Sequence, residues 1–243
     1  MSFIITLHVR EGLVMAADSR LTLSRTQGTP PAAVQLLSVA QSDANYKIFL
    51  APNNVGIATY GAAEIGGVPL AGYIESFIAS NCTGPSVPVS TTANLLLGYF
   101  SEFSPPPAAD FHVAGYDATL SPPEQQLWLV SVAGNLVKRL DVPGDQGVHW
   151  GGESDVLARL IQPVQQLDPS GKPLTVLPFF AIPWQFFTLQ DAIDFASFAL
   201  RATIDSLRFQ PRPKTVGGPI DILVIKPEGA KWIAHKELHA PSA

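Results

Sequence analysis

Ser2 stands directly behind Met1, at the head of SFIITLHVREGLVMAADSRLT. Once the methionine is removed, such a serine carries a hydroxyl and an α-amine on one residue. The amine has a pKa near ~8, so part of it is neutral at pH 7. It can take the proton of its own hydroxyl, directly or through a water. Such a nucleophile needs no histidine. A buried lysine nearby would lower neighbouring pKa values and stabilise the alkoxide, and an aspartate would hold that lysine in place. Asp18, on the strand returning beside the chain start, and Lys47, at the head of a later hairpin, are the candidates. Spacing alone does not separate this trio from a small residue after Met1 and a solvated strand-end lysine.

Other chemistry finds less support. There is no Gly-x-Ser-x-Gly elbow, no phosphate-binding Gly-rich loop and no cysteine pair. His235 and His239 are four apart, but in a terminal strand, where that spacing is not a helical turn; they read as ordinary surface histidines. Glu153 and Asp155 open a predicted helix, where negative charge suits the macrodipole. No cofactor and no metal is expected.

The chain has 243 residues, 47% of them hydrophobic, with a formal net charge of -5. That is enough for one large core. The 15 basic residues are scattered, which argues against a nucleic-acid partner. A single cysteine, Cys82, cannot form an internal disulfide and suits a reducing compartment. The apolar run at Phe3–Leu7 is too short for a secretory signal and has charge after it rather than before. No run approaches the ~18 apolar residues of a membrane span. A soluble, cytoplasmic protein with no membrane partner is expected.

The elements that must position the trio follow from pattern. Residues 2–10 and 13–18 read as paired strands joined at Glu11-Gly12, with Ser2 level with Leu21. Residues 23–45 are rich in Ser, Thr, Gln and Pro and read as a long loop. YKIFLAPNNVGIATYG reads as a hairpin turning at Pro52-Asn53-Asn54. Helices are predicted over 68–80 and, from an N-cap at Ser90, over 90–103, where SPPP stops the second. Strands follow at DFHVAGYD, QQLWLVSV and NLVKRLD. A third helix is predicted over 154–167 and a fourth from Thr188 to Phe209, with Asp191 at capping-box spacing. GGPIDILVIKP and KWIAHKEL close the chain as strands. Strict βαβ alternation is missing, so an α+β fold of two packed antiparallel sheets with helix pairs outside fits best. One domain over residues 2–243 is the simplest organisation.

At GLVMAADSRLT the sequence resembles the proteasome β-type family, including the simpler bacterial peptidases of that fold. Gly12, the apolar strand Leu13–Met15 and the run Ala16-Ala17-Asp18-Ser19-Arg20 match, in a register that puts Ser2 on the nucleophile. YKIFLAPNNVGIATYGAAE resembles the family's lysine strand. It puts Lys47 on the catalytic lysine and Gly61 on the glycine whose N–H receives the oxyanion. HVAGYD and TVGGPIDILVI resemble later strands, so the likeness runs from Ser2 to Ile225. It implies a four-layer αββα sandwich of N-terminal nucleophile hydrolase type and a peptidase working through an acyl-enzyme on Ser2. It implies stacked homo-oligomeric rings, peptide or unfolded-protein substrates, an ATPase unfoldase as a further partner, and a specificity pocket at Leu21, Thr59 and Ala63. The chain departs from the family in three ways. The nucleophile is Ser rather than Thr, and Val216 replaces the usual Ser before the late Gly-Gly. WGGES replaces a Ser-rich turn, leaving Ser154 and Asp205 for the amine-supporting roles. A ring-forming scaffold without activity and a small-molecule amidase are the alternatives.

One further segment stands out. LPFFAIPWQFF (Leu177–Phe187) gathers five aromatics between the last two helices, broken by Pro178 and Pro183. It fits either the domain's own core or a contact between subunits.

Overall fold

A computed structural model describes residues 2–27, 34–84 and 87–238. The chain opens with β1 (Phe3–Val9) and β2 (Gly12–Ala17), followed by β3 (Leu21–Gln27), β4 (Val34–Ser42), β5 (Ile48–Leu50) and β6 (Gly56–Gly61). A short pair, β7 (Glu64–Ile65) and β8 (Val68–Pro69), leads into α1 (Leu70–Asn81) and α2 (Val89–Ser101). Next come β9 (Ala109–Asp117), β10 (Glu124–Ser131), β11 (Leu136–Arg139), β12 (Gly147–Gly152) and α3 (Asp155–Ile161). A hairpin of β13 (Gln165–Leu167) and β14 (Pro173–Val176) precedes a 3-10 turn (Trp184–Phe186), α4 (Leu189–Phe209), β15 (Asp221–Lys226) and β16 (Gly229–Ala234).

The fold is α+β, with two five-stranded antiparallel sheets in the orders β12-β1-β2-β15-β16 and β11-β10-β9-β6-β5. The buried apolar residues fall into three clusters. Ile4, Leu13, Met15, Leu223 and Ile225 of the first sheet pack with Ile48, Ala58, Ala114 and Leu127 of the second. Phe3, Ile5, Leu7, Val14 and Ala16, from the other side of the first sheet, cluster with α4. Ile57, Phe111 and Val113 of the second sheet cluster with Ile74, Phe77, Leu96 and Phe100 of α1 and α2. The continuous apolar run of β1 is thereby explained: every residue from Phe3 to Val9 is buried, as expected for a strand covered on both faces. Ala192, Ala196 and Ala199 lie on the buried side of α4, where small side chains let the helix approach the sheet closely.

Several local expectations hold. The β5–β6 hairpin turns at Pro52–Asn54, with Asn54 N donating to Ala51 O (3.0 Å) and Asn54 at φ 57. Thr188 and Asp191 form a full capping box on α4, and Glu11 accepts from Leu189 N at the same helix end.

Others are corrected. Val9 pairs with Gly12, so the first turn is Arg10-Glu11 and the register brings Phe3 level with Asp18 rather than with Arg20; Ser2 is not opposite Leu21. The reason is Gly12, which belongs to the strand: a Cβ there would sit 2.9 Å from Ile225 O on β15. The loop predicted over 23–45 contains the β3–β4 hairpin, a two-stranded sheet of its own; residues 28–33 lie outside the described residues. Helix α2 starts at Val89 after Pro88, with no side-chain cap from Ser90. Helix α3 stops at Ile161 rather than 167, because Gln162 is extended (φ -115, ψ 159) ahead of Pro163.

No helix among the described residues is long and apolar enough to cross a membrane.

Candidate functional site

The site forms where β1 begins and β2 ends. Asp18, just past β2, is fully buried and uses both carboxylate oxygens. Oδ1 accepts from Phe3 N (3.0 Å) and from Lys47 Nζ (2.6 Å). Oδ2 accepts from Arg20 N (3.0 Å) and Gly217 N (3.0 Å). One carboxylate thus ties together the first residue of β1, the head of β5 and the turn before β15.

Lys47 immediately precedes β5, and its side chain is 2% exposed. Burial lowers its pKa from the usual 10.5, opposed by the Asp18 charge and hydrogen bond, while Lys236 and Arg20 push it lower still. The ion pair is buried on both sides, so removing one partner strands a charge away from water.

The rest of the Ala16–Arg20 run grips the same turn. Ser19 N donates to Gly217 O (3.0 Å) and Ser19 Oγ to Pro219 O (2.6 Å). Arg20 forms a two-pronged pair with Asp43 (2.6 and 2.7 Å) and reaches Lys214 O (3.3 Å). That hydrogen-bonded pairing raises the Arg20 pKa and lowers that of Asp43. A Cβ at 217 would meet the Arg20 guanidinium carbon at 2.5 Å, so any larger residue there would push that side chain from its place beside Asp43.

A narrow cleft opens here. Its walls include Ser2, Leu21, Lys47, Thr59, Tyr60 and Ala63. Its free interior is about 20 Å³, room for about one water. The fold therefore brings Ser2, Leu21, Lys47, Thr59 and Ala63 to one place, with Asp18 behind Lys47. Gly61 falls in the chain between the wall residues Tyr60 and Ala62 without lining the cleft itself; at φ +96 it takes a conformation that favours glycine, and a Cβ would collide with Ala108 O. Burial pushes the Tyr60 phenol up to about 12, helped by Asp110, so it stays protonated.

Two expected members are not brought in. Asp205 is exposed on α4, whose buried face carries Thr203 and Leu207; it borders a separate surface groove with Asp194, Ser197 and Arg201. Ser154 sits at the start of α3 and makes no side-chain cap bond; it is not among the residues lining the cleft. Val216 packs into the cluster beneath α4.

Sequence reasoning passed over a second polar group at the chain start. Glu153 is not a simple helix-start charge: it is buried, and its N donates to Ser2 O (2.8 Å). Its carboxylate accepts from Arg212 (2.8 Å) and from the Thr215 hydroxyl (3.1 Å). Arg212 also reaches Asp155 (3.0 Å). Thr215 thus brings a hydroxyl next to Val216, one position before the place where a serine was expected. The pairing of Arg212 with Glu153 and Asp155 has no local signal in the sequence, since the partners lie almost sixty residues apart. His235 stacks on Trp232 (4.0 Å), and His239 lies outside the described residues, as does Met1. Among the described residues, no group of three or more His, Cys, Asp or Glu could hold a metal ion.

In comparisons with known proteins, no family model matches the chain and no curated protein matches it.

Proposed function

We propose that this chain is a self-compartmentalising N-terminal-serine peptidase of proteasome type, a single four-layer αββα domain over residues 2–243 acting in the cytoplasm. The observation that carries the reading is the Lys47–Asp18 pair, 2.6 Å long, shielded from water and set in the wall of the cleft that Ser2 lines.

With Met1 removed, the Ser2 amine takes the proton of Ser2 Oγ as Oγ attacks the scissile carbonyl. The Lys47 ammonium favours the alkoxide, and the Gly61 N–H receives the oxyanion. The protonated amine then gives its proton to the departing amine of the substrate, leaving an ester on Ser2. A water, deprotonated by the same amine, attacks that ester; the acid leaves and Ser2 is restored. Leu21, Thr59 and Ala63 offer small to medium walls to a substrate side chain. Peptides or unfolded proteins are the substrates. Stacked homo-oligomeric rings hide the sites, and an ATPase unfoldase supplies them.

Incubation with a peptide epoxyketone or β-lactone, followed by intact mass, tests this. One adduct per chain on the mature N-terminal Ser2, absent from Ser2→Ala, is expected. A chain that keeps Met1 and takes no adduct is the scaffold instead. A chain that takes the probe but turns over only acyl amides is the amidase.

A further inference from the structure

The segment between α3 and α4 is largely exposed. Residues 162–187 contain only two charged side chains, Asp168 and Lys172, both in the β13–β14 hairpin turn. All seven residues of that hairpin's strands are exposed. A two-stranded sheet is marginal in water unless something packs against it. Phe180 and Phe186 are 87% and 77% exposed, and Leu174, Val176 and Phe179 also face outward.

The same segment is firmly rooted on its inner side. Trp184 and Phe187 pack against the cluster beneath α4. Their rings meet Phe195 at 5.0 and 6.0 Å, and Phe195 leads on to the exposed Phe198 at 6.0 Å. The five aromatics of Leu177–Phe187 thus divide: Trp184 and Phe187 are anchors, while Phe179, Phe180 and Phe186 point out.

We infer that this outward face is a self-association surface, covered in solution by the same face of a second copy of this chain. Three observations choose that occupant. Leu174, Val176, Phe179, Phe180, Phe186 and Phe198 together present on the order of 600 Å² of apolar side chain, taking roughly 150–200 Å² for each and counting only its exposed fraction. That is at the upper limit for a free monomer's largest patch and of the same order as the ~800 Å² one partner gives to a stable interface. Second, the 162–187 part of the face carries only Asp168 and Lys172, and the charges beside Phe198 on α4 are of both signs, Asp194, Asp205 and Arg201, so two copies of a chain with net charge -5 can meet there without strong repulsion; contacts between identical chains are the more apolar kind. Third, pairing like with like closes on itself as a two-fold contact and leaves no apolar surface over. The surface rests on the proposed function only for the expectation that copies assemble; its chemistry is separate from Ser2.

The experiment compares the full chain with Phe180→Asp/Phe186→Asp by light scattering at tens of micromolar, with circular dichroism alongside. The native chain should run as an oligomer. The double variant should fall to a smaller species with an unchanged spectrum and an unchanged Ser2 probe adduct. In a second measurement, Phe180→Cys is treated with a bis-maleimide; because Cys82 is buried, copies should be linked in pairs through position 180. A monomeric native chain, an unchanged mass in the double variant or no linked pair overturns the proposal and leaves the face to another protein or to lipid. Should the double variant unfold, the linking result alone decides. Loss of the Ser2 adduct with the oligomer intact would count against the proposed chemistry and not against this surface.

Discussion

Two buried lysine–carboxylate pairs lie close together in this molecule and differ in what stands in front of the ammonium. Asp18 holds Lys47, and Asp221, level with Ala17 on the neighbouring strand, holds Lys236. Both carboxylates are essentially inaccessible. Lys236 lies beneath the Tyr46 ring (4.4 Å), and its backbone N also donates to Asp221 (2.8 Å), so this pair fastens the chain beyond β16. Lys47 instead opens on the cleft beside Ser2. Burial makes each pair costly to break; only an open side allows an ammonium to act on something else.

The sharpest way to break this comparison is to remove each lysine. Lys47→Met should lower kcat/KM on a fluorogenic peptide by on the order of 10³, the scale of losing one electrostatic stabiliser. The fold should persist, since three backbone N–H groups still serve Asp18. Lys236→Met should stay within a few-fold of the native chain. Equal losses would erase the distinction between the two pairs.

Stability should show the opposite emphasis. Asp221→Asn leaves Lys236 buried without its charge partner and should cost about 3 kcal/mol in urea unfolding, while turnover per folded molecule is kept. A loss below half a kcal/mol would mean the second pair fastens nothing.

The pH profile sharpens the difference further. Activity requires charged Lys47, whose pKa lies below 10.5 because of burial. The alkaline limb of kcat/KM should therefore fall below pH 10.5, with an acid limb near ~8 from the α-amine. Lys236 is one of the charges that lower Lys47, so Lys236→Met should move the alkaline limb upward. For stability the sign is the reverse: between the folded value and 10.5 the unfolded chain binds more protons, so stability gains as pH rises. An alkaline limb at or above 10.5 contradicts the burial argument.

The smallest effect belongs to a buried base with no carboxylate partner. His112 bonds the Thr6 hydroxyl (3.0 Å) between the sheets, and burial pushes it down to about 3, with the charge of His149 adding to the shift. Between pH 6 and 4 the unfolded chain binds the extra proton. His112 should therefore cost about 1.4 kcal/mol of stability per pH unit as pH falls. His112→Leu should flatten that slope in denaturant titrations at several pH values; an unchanged slope would assign it elsewhere.

What could be read from the sequence was whatever depends on short-range pattern. The apolar runs of β1 and β2, the Pro52–Asn54 turn and the Thr188/Asp191 cap are local, and they fell where expected. Asp18 and Lys47 could be named as candidates because each flanks a strand that short-range pattern marks, but their meeting from two different sheets lies beyond what spacing shows. Other features depend on contacts across the chain. Gly12 looked like a turn residue because its Cβ-sized gap against Ile225 is invisible in sequence. The β3–β4 strands looked like a loop because Ser, Thr and Gln dominate them and they join neither large sheet. Glu153 passed for a helix-start charge because its partners, Arg212 and Thr215, lie about sixty residues away. Asp205 entered through the resemblance alone, and on α4 a shift of two residues, as between Thr203 and Asp205, moves a side chain from the buried face to the exposed one.

The closeness of Arg20 to Gly217 has a consequence for how the sequence can drift. With Arg20 in place, Gly217→Ala drives a methyl into the guanidinium group. With Arg20 shortened to Ala, the nearest atoms that methyl would meet are gone, and the backbone at 217 carries no left-handed φ that would bar a side chain. The harm done by one substitution thus depends on whether the other came first. Losing Arg20 first makes alanine at 217 cheaper, and alanine at 217 obliges an arginine at 20 to give up its present seat beside Asp43.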